Sequence, residues 1–269
     1  DYHFGEYHEA ITAFGSYLKD NAEPAPRRDA LYMLGMSYYR TGVYSQVPVT
    51  LGEVTANKDA LTQNAYLHMG LAYLQLADKN KARMAFEQAA ASDADLKIKE
   101  QASYNNALCI HETSYSAFGE SVTVFENFLN EFPNSAYADK VSSYLIEVYM
   151  NTRSYDAALK SIERITHPGR AILEAKQKIL FQLGTQSFAN TQFEQAIGCF
   201  NQSIALGGYN LQTKADALYW RGESYYRLNR MQEAARNFND YLSLTPQKNT
   251  EMYALAYYNL AYIAFHKKD

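Results

Sequence analysis

Few side chains in this sequence could do chemistry, and they are scattered. Six histidines stand at His3, His8, His68, His111, His167 and His266, and two cysteines at Cys109 and Cys199. A metal centre needs such ligands a helical turn apart or in a short Cys-x-x-Cys run, and no two of the eight are spaced that way. A glycine-rich phosphate loop, a His-Glu-x-x-His pair and a Gly-x-Ser-x-Gly elbow are all missing from the sequence. No catalytic residue, metal or cofactor is therefore expected, and the chain does not read as an enzyme. Asn201-Gln202-Ser203 matches a glycosylation triplet but falls inside a predicted helix. The cysteines are expected as free packing residues: their places in the pattern below put them roughly 20 Å apart at 8–10 Å per helix layer, beyond a disulfide's reach.

Composition narrows the class. The chain has 269 residues, with 25 Lys+Arg against 29 Asp+Glu for a net charge of -4, which disfavours nucleic acid as a partner. No apolar run is long enough for a transmembrane helix. The absence of an initiating Met or a leader makes Asp1 read as a cut within a longer chain. Aromatic residues are abundant, with 24 Tyr and 13 Phe.

The elements that would position these rings repeat. A stretch at helical spacing carries bulky apolar residues, a small residue and often Tyr three positions on; a polar turn and a second apolar stretch follow. The copies begin Leu31-Leu34-Gly35-Tyr38, Tyr66-Met69-Gly70-Tyr73, Ala107-Ile110, Leu145-Tyr149, Leu180-Leu183-Gly184 and Leu218-Gly222-Tyr225. The anchors Gly35, Gly70, Ala107, Ile146, Gly184, Gly222 and Ala261 are 35, 37, 39, 38, 38 and 39 residues apart. Such hairpins cannot bury their stripes alone and must stack. The spacing predicts an all-α, α-α superhelix in a single domain, residues 1–269. It comprises a half repeat at 1–22, full repeats at about 28–60, 63–96, 100–134, 137–168, 171–208 and 213–248, and a half repeat at 250–269. The first half, from Phe4 to Phe14, reads as a second helix without its first. The last, Met252 to His266, reads as a first helix without its second, so further repeats or a neighbouring chain are expected to cover the ends. The turn Ser114–Gly119 reads as two residues longer than its counterparts. Pro24 and Pro26 read as inter-repeat loop residues, and Pro48 fits a second helix if Ser45 is its N-cap.

This order of large and small positions resembles the tetratricopeptide repeat, a helix–turn–helix unit, over essentially the whole chain. The resemblance implies a concave groove lined by the first helices. Carried over position by position, it names Tyr32, Met36, Tyr39, Arg40, Leu71, Tyr104, His111, Phe181, Phe188, Tyr219, Glu223, Tyr226, Arg227, Tyr258 and Tyr262 as candidates to hold a partner. The carboxylate clamp of chaperone-binding members is absent from the first unit, where Tyr32 and Met36 occupy its positions. The implied function is a non-catalytic scaffold that binds a protein or peptide. The run from Phe128 to Asp139 resembles inter-repeat segments of bacterial envelope proteins of this family, implying a setting in the periplasm or cell envelope. Carbohydrate binding and a sensory arm of a larger protein are the alternatives. If the groove is free, Tyr219→Ala with Tyr226→Ala should weaken binding and leave stability nearly unchanged; the competing reading has these rings packed on one another.

Overall fold

Helices form here because apolar residues recur every three or four positions between polar caps. Asp59, Asp78, Asp95 and Asn210 each accept a backbone N–H of the first turn that follows. A computed structural model describes residues 5–20, 24–114 and 118–266, and every regular element among them is helical. The chain forms two compact units, dividing after Tyr137. The first holds α1 (Tyr7–Asp20), α2 (Pro24–Arg40), a 3-10 turn (Tyr44–Gln46) running into α3 (Val47–Gly52), α4 (Ala60–Gln75), α5 (Lys79–Ala90), α6 (Leu96–Thr113) and α7 (Glu120–Glu131). The second holds α8 (Ala138–Thr152), α9 (Tyr155–Glu163), α10 (Arg170–Ala189), α11 (Phe193–Ala205), α12 (Leu211–Arg227), α13 (Met231–Leu244) and α14 (Glu251–His266). Within each unit, first and second helices alternate and pack on their sequence neighbours.

The small anchors sit where each pair crosses. A Cβ on Gly70 would stand 2.5 Å from the Phe86 ring, one on Gly184 2.5 Å from Phe200, and one on Gly222 3.0 Å from Phe238. Gly35 is covered in the same way by Leu51. Each partner lies sixteen residues beyond its glycine, and all four are fully buried. Burial of one such ring contributes about 1.5–3 kcal/mol, and at these four crossings the missing side chain is what leaves room for it.

Seven residues beyond the anchors, Gly42, Ala77, Arg153, Thr191 and Asn229 all take positive φ, from 53° to 77°. This left-handed residue ends the first helix. The next N–H then reaches five residues back, as Val43 to Tyr38, Asp78 to Tyr73, Gln192 to Ser187 and Arg230 to Tyr225, at 2.8–2.9 Å. Glycine is favoured there, yet only one of the five positions has it.

Seven residues before the anchors lies a polar clasp that sequence periodicity missed. Gln63 is buried; its amide nitrogen faces the carbonyls of Ala89, Ser92 and Asp95 at 3.1, 2.6 and 3.1 Å, and its oxygen accepts the Asp95 N–H at 2.8 Å. Gln177 does the same in the second unit, donating to Ser203 and Gly207 and accepting from Asn210. Arg28 donates to the Val54 carbonyl and, through both terminal nitrogens, to Asp59. Glu100 accepts from Ser135. Each clasp satisfies the loop that leads to the next first helix, whose backbone groups would otherwise be buried unpaired.

Several boundaries differ from expectation. Pro24 and Pro26 lie in the first turn of α2 rather than in a loop, because a first-turn N–H has no intrahelical partner to lose. Ser45 is not a cap: it lies in the 3-10 turn, Gln46 caps α3, and Pro48 sits in the first turn. Phe4 and residues 115–117 of the turn at Ser114–Gly119 lie outside the described residues. Cys109 and Cys199 are free, and burial pushes the Cys109 thiol up to about 11.

Gly70→Leu is expected to destabilise the chain by about 1–3 kcal/mol, because the Phe86 ring has nowhere to move; the urea unfolding midpoint measures this. Gln177→Leu should cost a similar amount by stranding the Asn210 N–H and the Ser203 and Gly207 carbonyls, and amide exchange at Asn210 should accelerate.

Candidate functional site

Two sets of first helices, one in each unit, carry the candidate residues. In the first unit, Asn64 on α4 donates to the Tyr32 hydroxyl of α2 at 2.6 Å. The Tyr39 ring meets His68 of α4 edge-on at 5.0 Å and Tyr44 at 5.7 Å. Burial, then the neighbouring Tyr44, raises the Tyr39 hydroxyl pKa, and burial lowers that of His68. Arg40 is exposed beside them. Leu71 and His111 are half-buried, the latter with its ring 5.3 Å from Phe125.

Two candidates in this unit belong to the core. Met36 is 3% exposed, and Tyr104 is 6% exposed and stacked on Tyr137 with ring centroids 4.2 Å apart. Their register is that of groove residues, but Tyr137 of the following inter-repeat segment covers Tyr104, and Met36 lies in a buried cluster with Leu31, Val47 and Leu51.

In the second unit, Phe181 and Phe188 are half-buried; Phe188 meets Trp220 of α12 edge-on at 5.0 Å. Tyr219 is only 4% exposed, ringed by Trp220, Phe238 and Tyr241 within 5.6 Å. Its hydroxyl donates to Glu223 at 3.3 Å, and burial followed by the Glu223 charge raises its pKa. Glu223 also accepts from Asn259 of α14. Tyr226 is half-buried, with Tyr262 edge-on at 6.1 Å. Beyond that pair the face opens: Tyr258 is 65% exposed, Tyr262 40% and Phe265 72%. Arg227, next to Tyr226 in α12, is exposed and makes no ion pair among the described residues.

The rings thus do two things. Tyr32, Tyr39, Phe188 and Tyr226 tie one first helix to the next, and they present only part of their surface outward. Trp220, Asn64 and His68 complete these ties, Asn259 of α14 adds one to Glu223 of α12, and none of the four is among the candidates named from the sequence. The remaining aromatics, concentrated on α14, have no packing partner for most of their area. No cluster of His, Cys, Asp or Glu among the described residues could hold a metal ion, and no described helix is long and apolar enough to cross a membrane.

Stacked hairpins with a glycine crossing, a left-handed turn and a ring-lined first-helix face define a helical-repeat protein. Two stretches, residues 63–96 and 181–249, match tetratricopeptide repeat models. The chain therefore carries tetratricopeptide repeats. No curated protein matches it by sequence. Among solved structures, the C-terminal part of a repeat-containing protein from Cytophaga hutchinsonii is similar at 13% identity and a TM-score of 0.45, covering 95% of this chain and 96% of that one. A tetratricopeptide repeat protein from Parabacteroides merdae gives 12% identity and 0.46, with 97% and 93% covered. The TPR2AB domain of yeast Sti1, solved as a complex with pHSP90, gives 13% and 0.41, with 97% and 94% covered.

Tyr219→Ala is expected to cost about 3–5 kcal/mol, as full removal of a buried ring does, whereas Tyr258→Ala should leave the melting temperature nearly unchanged. Thermal unfolding of the two variants side by side tests this reversal of the expectation for Tyr219.

Proposed function

We propose that this chain is a non-catalytic interaction scaffold whose second unit holds a peptide segment of a partner protein on the first-helix face of α12 and α14. The observation that carries this is the open set Tyr226, Tyr258 and Tyr262 on α12 and α14, with Arg227, next to Tyr226 in α12, exposed and in no ion pair among the described residues. Tyrosine supplies large, stiff contact area with a hydrogen-bonding tip, and arginine pairs with carboxylates through a fixed fork. An extended segment carrying apolar side chains and at least one acidic group fits that chemistry. The repeat family supports the same reading, as does the match of residues 181–249, which ends just before α14.

The setting we propose is the bacterial cell envelope, supported by the resemblance of the Phe128–Asp139 run to envelope repeat proteins. That run also shapes the fold, since Phe128 is buried, Ser135 donates to Glu100, and Tyr137 stacks on Tyr104. Localisation of a tagged full-length protein would test the setting.

Peptides selected on the wild-type chain from a random display library should lose about tenfold or more in affinity against the Tyr226→Ala, Tyr258→Ala double variant, with folding intact. A further Arg227→Ala change should remove any preference for acidic peptides. Selection that yields no binders, or binders indifferent to all three changes, overturns the proposal.

A further inference from the structure

Where two successive first helices lie side by side, a notch forms between the end of one and the middle of the next. In the first unit His68 of α4 fills it, edge-on to Tyr39 of α2 at 5.0 Å, with Tyr44 5.7 Å from Tyr39. Between α10 and α12 the same register brings Trp220 edge-on to Phe188 at 5.0 Å, with Phe193 5.3 Å from Phe188. Between α4 and α6 the polar groups are satisfied within the protein. Asn105 donates to the Gln101 carbonyl of its own helix at 2.8 Å, and Lys79 pairs with Glu112 at 2.9 Å.

The notch between α8 and α10 breaks this pattern. Gln182 stands where His68 and Trp220 stand in the filled notches, two residues before the anchor, and Met150 where Tyr39 and Phe188 stand. What remains is a cavity of about 520 Å³, walled by Met150, Arg153, Tyr155, Gln182, Thr185 and Gln186, a size within the range of small-ligand sites. Arg153 holds the left-handed turn position, at φ 53°, and is exposed. Its guanidinium and the side-chain amides of Gln182 and Gln186 bond to no other described residue. No acid lines the cavity. Asp156, the next one along the chain, lies on the side of α11, where after burial it is the second cause that raises the Cys199 thiol pKa.

We propose that this notch is a second binding site, which takes the carboxylate of an aspartate or glutamate side chain in a partner peptide. Arg153 pairs with the carboxylate, Gln182 and Gln186 donate to it from their amides, and Met150 and Tyr155 pack on the methylenes that carry it. The donor set is what points to an anion. It holds one unneutralised cation and two neutral amides, and an ion pair reinforced by neutral donors is stronger than either contact alone. A sugar would find hydrogen bonds here but would leave the guanidinium without a counter-charge. The site shares no residue with the α12 and α14 face proposed above, so the two stand or fall independently.

The probe is N-acetyl-glutamate N-methylamide, which carries a single side-chain carboxylate, with the isosteric N-acetyl-glutamine N-methylamide and maltose as neutral controls. Titrated into the labelled chain, the glutamate probe should produce saturable NMR shifts at the Arg153 Nε–H and at the side-chain amides of Gln182 and Gln186. The shifts should shrink as salt is added and persist in an Arg227→Ala chain. Arg153→Asn removes the cation and keeps a residue suited to positive φ, as Asn229 is at the same position of a neighbouring repeat. Gln186→Glu instead puts a like charge in the notch. Both variants should keep the wild-type melting temperature and lose the shifts. Three results would overturn the proposal: no saturable shift at these three side chains, an equal response to either neutral control, or undiminished binding in Arg153→Asn.

Discussion

Four of the hairpins depend on one steric constraint: a bulky side chain from the second helix must lie where the first carries none. Gly70 with Phe86, Gly184 with Phe200 and Gly222 with Phe238 meet that constraint at one fixed separation in sequence. Everything else in the unit is referenced to it. The left-handed turn residue follows at a set distance, and the polar clasp precedes at the same distance. A side chain added at the crossing would displace the ring and every contact registered to it, since close-packed interiors do not absorb volume locally.

The first-helix faces show how one class of residue serves both packing and recognition. Tyr104 and Tyr219 are enclosed by neighbouring rings, Tyr39 and Tyr226 share their area between a neighbour and solvent, and Tyr258 and Phe265 are mostly open. A tyrosine at a groove position is thus not a binding residue by register alone. What decides is whether a ring from an adjacent element reaches it first.

Much of the fold was legible in the sequence because the crossing demands a small residue and a bulky one at constant spacing, and a periodic demand leaves a periodic trace. The lone helices at Tyr7–Asp20 and Glu251–His266 were legible for the same reason. The clasps were not, because Arg28, Gln63, Glu100 and Gln177 solve one problem with different chemistry and so share no letter; only a polar residue at a constant offset could have pointed to them. The turn residues were hidden likewise, since Ala77 and Thr191 adopt a backbone usually given to glycine. The candidate face was legible in position but not in exposure. Met36, Tyr104 and Tyr219 have the same register as open residues elsewhere, and their burial depends on side chains far away in sequence.

The difference among the clasps has an environmental consequence. Gln63 and Gln177 hold their loops through neutral amides that acid and added salt leave untouched. Arg28 holds its loop in part through Asp59, whose carboxyl lies well below the usual carboxylate range, first because of the hydrogen bonds from Arg28. Its contribution is complete above the ordinary aspartate pKa of about 3.9 and fades as acidity increases past that point. Partly exposed, it is also subject to ionic screening. In an acidified or saline medium the joint between α3 and α4 should therefore loosen before the two glutamine-held joints, making the chain's resistance to such media uneven along its length.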